Sequence, residues 1–148
     1  HADILKFWLS LQHIGKCGYN ELVDKTFQLT DYIMSHVKKR AYLSVTNVPQ
    51  TNVICFRAIP GWLSEENCDA WNMQLQMYLL EAGNTYFSLQ TYRNQHWLRV
   101  VLLNPYINET MIDNLFAKID EFYKMAYGKY KIQENRVNSA RKTCWIEK

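Results

Sequence analysis

Few residues punctuate this chain: the 148 positions hold five glycines and three prolines, and the glycines are not spaced as a nucleotide-binding loop needs. Neither GxGxxG nor a P-loop is present, and no GxSxG turn offers a nucleophilic serine. Cysteine is sparse as well. Cys17, Cys55, Cys68 and Cys144 form no CxxC pair, and no Cys–His set has the spacing of a four-ligand zinc site. The histidines (His1, His13, His36, His96) are scattered and make no HExxH, so a metal centre has no support. Carboxylates cluster only at Glu65-Glu66, where the start of a helix accounts for them. A surplus of one charge is missing too. The formal net charge is +3, and Lys38-Lys39-Arg40 is the single compact basic run. It reads as the solvated end of a helix, which argues against a nucleic-acid partner. No apolar run is long enough to cross a bilayer, and no signal peptide opens the sequence. Scattered thiols of this kind suit a reducing compartment, so a cytoplasmic location is expected.

What is present is a core. Hydrophobic residues make up 48% of the chain and charged residues 21%, the balance of one ordinary globular domain. Ile4, Leu5, Trp8 and Leu9 recur at helical spacing over 2–13, and Gly15 and Gly18 bracket a break. A second helix is expected over about 20–39, with the stripe Leu22, Val23, Phe27, Leu29, Ile33 and Val37. Short strands follow at 42–45 and 52–58, stopped by Pro60-Gly61. Ser64 offers an N-cap to a helix running to about Ala82, with Cys68, Trp71, Leu75, Tyr78 and Leu79 on one face and Gly83 at its end. Strands at 85–92 and 97–103 form an antiparallel hairpin around the polar loop Arg93-Asn94-Gln95-His96. Asn108 caps a last helix carrying Ile112, Leu115, Phe116, Ile119 and Phe122. Gly128 ends the clear periodicity, leaving a domain over 1–128 and a basic tail over 129–148. The fold class is therefore α+β, an antiparallel sheet covered by helices in two layers.

No catalytic set emerges from the residues themselves. One side chain asks for an explanation. Strand alternation puts Arg99 on the same face as Val101 and Leu103, and a charge among apolar neighbours needs a partner. A guanidinium matches a carboxylate or phosphate, so either the partner is an internal acid or a ligand, or the strand end faces water. The aromatics Tyr86, Phe87, Tyr92 and Trp97 could stack bases, but Tyr86 and Phe87 fall on opposite faces, so core packing explains them better.

The ordered motifs carry a resemblance. Ala2-Asp3-Ile4-Leu5-Lys6-Phe7-Trp8 is similar to the A-D-x-L-K-x-W stretch of the group II pyridoxal-phosphate (PLP) dependent amino-acid decarboxylases, the glutamate, aromatic and diaminobutyrate decarboxylase-like enzymes. Gly15 matches that family's L-G-x-x-G turn. Asn52 to Arg57 looks like its N-x-V-x-F-R strand, Leu63-Ser64-Glu65-Glu66 like its next helix start, and Leu98-Arg99 with Asn104-Pro105 and Asp113 like its L-R-x-x-x-x-N-P... D run. The matches keep order and spacing over roughly 1–125.

The resemblance implies the small C-terminal domain of a fold-type I enzyme that releases CO2 from an L-amino acid and is usually a homodimer. It implies PLP as cofactor, held covalently by a Schiff-base lysine in a large domain that this sequence does not contain. No His-Lys dipeptide occurs here. The chain, which opens at His1 without a methionine, thus reads as a fragment that binds no PLP covalently and is inactive alone. By the same resemblance Arg99 falls where glutamate-type members bind the substrate carboxylate. Ser88 and Thr91, on the preceding strand, are weaker substrate-binding candidates. Two other readings stay open: a free-standing α+β ligand-binding or regulatory module, and a subunit of a split decarboxylase.

Overall fold

The computed structural model describes residues 3–83 and 85–143, with α1 (Asp3–Lys38), β1 (Leu43–Val45), β2 (Val53–Ala58), α2 (Glu65–Gly83), β3 (Ser88–Tyr92), β4 (Gln95–Val101) and α3 (Glu109–Thr143). All strand pairs are antiparallel, in the order β1-β2-β4-β3. Alternation sends Ile54, Phe56, Ala58 and Leu98 to one face, where they meet Leu29, Ile33 and Val37 of α1, Leu75 and Leu79 of α2, and Phe116 and Ile119 of α3. All three helices therefore cover the same side of the sheet. The result is the expected two-layer α+β arrangement.

Local differences have physical causes. The two helices expected before and after Gly15 run together as α1, kinked where Gly15 adopts φ 67° and ψ 175°. Gly18 stays helical, and a Cβ there would sit 2.6 Å from Ile14 Cγ2 across the kink. Arg40 is not a solvated helix end. Its Nη1 donates to the His36 carbonyl at 2.8 Å, and its Nε and Nη2 reach both oxygens of Asp120 at 2.8 and 2.7 Å. The hairpin turn is tighter than the polar run suggested. Only Arg93 and Asn94 lie outside the strands, both at positive φ (51° and 58°), as a two-residue type I′ connection demands. Asn108 caps α3 as expected, accepting from the Met111 backbone at 3.0 Å. The Ser64 hydroxyl instead takes the Asn67 side-chain amide at 2.8 Å.

The last helix runs through Gly128 to Thr143, past the end of the apolar periodicity. Trp62, from the turn before α2, packs against Tyr123, Tyr127 and Tyr130, with ring centroids 6.1, 6.0 and 5.2 Å away. An aromatic clamp from outside the helix is invisible to a periodicity count. Residues 144–148, Cys144 among them, lie outside the described residues.

The two glycines give opposite expectations. The backbone at Gly15 is nearly glycine-only, so Gly15→Ala should cost about 1–3 kcal/mol. At Gly128 an added Cβ meets nothing within 4 Å, so Gly128→Ala should stabilise by up to about 1 kcal/mol. Thermal melts of the two variants check both signs.

Candidate functional site

The face of the sheet turned away from the helices carries the candidate site. Arg99, in the middle of β4, is flanked in register by Cys55 of β2 and Ser88 of β3. All three side chains emerge on the uncovered side. Ser88 Oγ lies 3.5 Å from the Arg99 carbonyl oxygen. Burial pushes the Cys55 thiol pKa up, and the neighbouring Arg99 charge pulls against that rise. Among the described residues no carboxylate or other acceptor pairs with the Arg99 guanidinium. Thr91 pairs with His96, three residues from Ser88, so alternation turns it to the opposite face. The structure thus joins Arg99 and Ser88 and separates Thr91 from them.

The internal acid partner considered for Arg99 belongs to a different arginine. Arg57 is 1% exposed, its Nη2 stands 3.1 Å from Asp69 Oδ1, and its guanidinium lies over the Trp97 ring at 5.6 Å. Asp69 also accepts from the His96 backbone at 2.9 Å. Next to it, buried Asn72 accepts from the Ala58 backbone N–H at 2.8 Å and donates to the carbonyls of Ala58 and Cys68 at 2.9 and 2.7 Å. Together Asp69 and Asn72 complete the hydrogen bonds where the β2 and β4 ends meet α2. Their polarity in the sequence gave no sign of this. The spacing of Asp69 and Asn72, one turn apart beside the buried Cys68, was the available signal.

On the helix side, a polar seam ties α1 to α3. Burial tends to raise the Asp120 pKa, but hydrogen bonds from Arg40 and Tyr42 outweigh it and hold the carboxyl below its usual range. His36 stacks on Phe116 and stands 3.0 Å from Asp113; burial and then Arg40 lower its pKa despite that acid. No group of three or more His, Cys, Asp or Glu among the described residues could hold a metal ion. No described helix is long and apolar enough to cross a membrane.

No family model matches the chain. It is, however, 26% identical over 127 residues to an acidic amino acid decarboxylase of Mus musculus, spanning 80% of this chain and 23% of that protein. The L-2,4-diaminobutyrate decarboxylase of Acinetobacter baumannii is 24% identical over 117 residues, 79% of this chain and 23% of its own length. Among solved structures, mouse CSAD in apo form superposes with a TM-score of 0.72 at 23% identity, covering 81% of this chain and 27% of that one. Oryza sativa TDC with PLP and tryptamine gives 0.76 at 17% identity, over 82% and 26%.

Over about four fifths of its length the chain is similar in sequence to these amino-acid decarboxylases and shares the fold of the matched part of the solved structures.

It spans about a quarter of the length of the curated relatives it matches. Within this domain, among the described residues, the uncovered sheet face and the apolar start of α1 are surfaces left without a partner. Ile4, Leu5, Phe7, Trp8 and Leu9 are all more than half exposed. Val23 and Phe27, expected in the core stripe, are about half exposed on the same helix.

Proposed function

We propose that this chain is the small C-terminal domain of a PLP-dependent amino-acid decarboxylase, with Arg99 as the anchor for the substrate carboxylate. The observation that carries the proposal is the Arg99 guanidinium, without a pairing acid among the described residues, on the uncovered face of a sheet like that of the decarboxylase structures. A planar cation held in a strand, with no acid beside it among the described residues, is poised for a carboxylate from outside. Ser88 stands beside it on β3 and offers a hydroxyl to the same group.

The four strands contain no lysine, so they offer nothing to hold PLP covalently. The lysine and the rest of the cofactor site come from a large domain beyond this sequence, and the domain alone is inactive. PLP bound there supplies the electron sink for loss of CO2. The task of this chain is to fix the substrate. Arg99 holds a carboxylate in one orientation, and the sheet keeps the guanidinium in place, so that the bond to the departing carboxylate breaks and a proton replaces it. The uncovered sheet face and the exposed apolar start of α1 supply the surface for the large domain. The intact enzyme is a cytoplasmic homodimer.

The test is release of CO2 from carboxyl-labelled amino acids by the intact gene product, with the amine identified as the second product. Acidic, aromatic and diamino substrates are assayed in parallel. Labelled CO2 from any of them supports the proposal. An upstream sequence without a PLP-type lysine, or no CO2 from any amino acid, would refute it.

A further inference from the structure

On the other side of β4 from Arg99 the helices leave a half-open pocket of about 690 Å³. Its floor is Val100 and Leu102, which alternate with Arg99, together with Phe87 and Leu79. Ala82 of α2 and Ala117 of α3 line opposite walls. The volume falls within the range of small-molecule sites, and the lining is mostly apolar with a few polar groups, as such sites are.

Apart from Thr85, those polar groups lie along one line on α3. Asn114, Lys118 and Glu121 follow at i, i+4 and i+7, which places them on one helix face. Glu121 is already satisfied twice. It accepts from Lys118 Nζ at 2.9 Å and from the Tyr78 hydroxyl, and both hydrogen bonds lower its pKa. An ammonium carries three donors, and Glu121 uses one of those on Lys118. The Asn114 side-chain amide has no hydrogen-bond partner among the described residues. The spare hydrogen-bonding capacity along this line is therefore cationic or amide in character, with Glu121 itself occupied.

We infer that the pocket is a binding site for a small apolar molecule with one carboxylate head, the apolar part against Phe87, Val100 and Leu102 and the head at Lys118 and Asn114. A cationic head would meet the Lys118 charge and a carboxylate that already has two donors. The site is separate from the Arg99 face and does not depend on the decarboxylase reading. It touches the same strand from behind, so an occupant there would pack on Val100, next to Arg99 in sequence.

Octanoate, octylamine and octanol serve as probes, titrated into this chain by calorimetry below their aggregation concentrations. Octanoate should bind saturably at one site, at least tenfold more tightly than octylamine. Ala117→Trp and Ala82→Trp fill the mouth from opposite walls at exposed positions, and each should weaken octanoate at least tenfold with the far-ultraviolet circular dichroism unchanged. Lys118→Gln should bring octanoate down to the affinity of octanol. No saturable octanoate binding, equal binding of octylamine, or undiminished binding in both folded tryptophan variants would overturn the inference. These readouts involve no catalysis, so they stand whether or not the intact enzyme releases CO2.

Discussion

Arg99→Ala in the intact enzyme is expected to lower kcat/KM about 100-fold. Truncating one member of a charged, hydrogen-bonded pair costs about 2–5 kcal/mol, and about 2.7 kcal/mol corresponds to 100-fold. How the loss divides reports the role. A rise in KM at constant kcat means that Arg99 holds the carboxylate equally in the ground and transition states; a matching fall in kcat means that it matters mainly while CO2 leaves. Arg99→Lys keeps the charge and loses the fork, so it should recover part of the activity. Stability is the control. Among the described residues Arg99 has no acid to abandon, so the melting temperature should hardly move, with less than about 0.5 kcal/mol lost. Unchanged kinetics in Arg99→Ala would remove it from the site.

Asp69→Ala should have the opposite profile: a large loss of stability by way of a residue that touches no substrate. It strands the Arg57 guanidinium, 1% exposed, and frees the His96 backbone N–H. Breaking a buried pair from one side costs about 3–5 kcal/mol. Asp69 is itself about one-third exposed, so water relieves part of the loss and the lower end is expected, about 3 kcal/mol. For a domain of this size that is a fall of about 6–12 °C in melting temperature. Arg57→Met should be much milder, because it removes the charge that needs a partner and leaves an apolar chain against Trp97. The double variant should then lose less than Asp69→Ala alone. If Asp69→Ala melts with the parent, the pair contributes nothing and the account of the β2 end is wrong.

These two arginines mark what the sequence could and could not reveal. Both sit in strands with apolar neighbours, and alternation identified Arg99 as a charge needing an explanation. Alternation could not say which arginine has an acid nearby, because Asp69 reaches Arg57 from a helix twelve residues on. Local signals fared better. The order of elements, the stripe Cys68, Trp71, Leu75 and Leu79, and the Asn108 cap all depend on neighbours within a turn or two, and all appear in the structure. What went unread depends on distant chain. The clamp of Trp62 on the continuing α3, the pairing of Arg40 with Asp120, and the tightness of the Arg93-Asn94 turn are set by packing across the fold. Thr91 belongs with the local signals: it stands three residues from Ser88 in one strand, and alternation alone sends it to the opposite face.

The strand order has one more consequence, for self-association. The sheet's two rims are β1 and β3. At three residues, β1 is too short to template another chain. The β3 rim is longer, and its sequence Ser-Leu-Gln-Thr-Tyr carries no charge to repel a neighbour. Any rim-to-rim stacking of this domain into fibres therefore begins at β3, and a lysine placed on that strand is the change that blocks it.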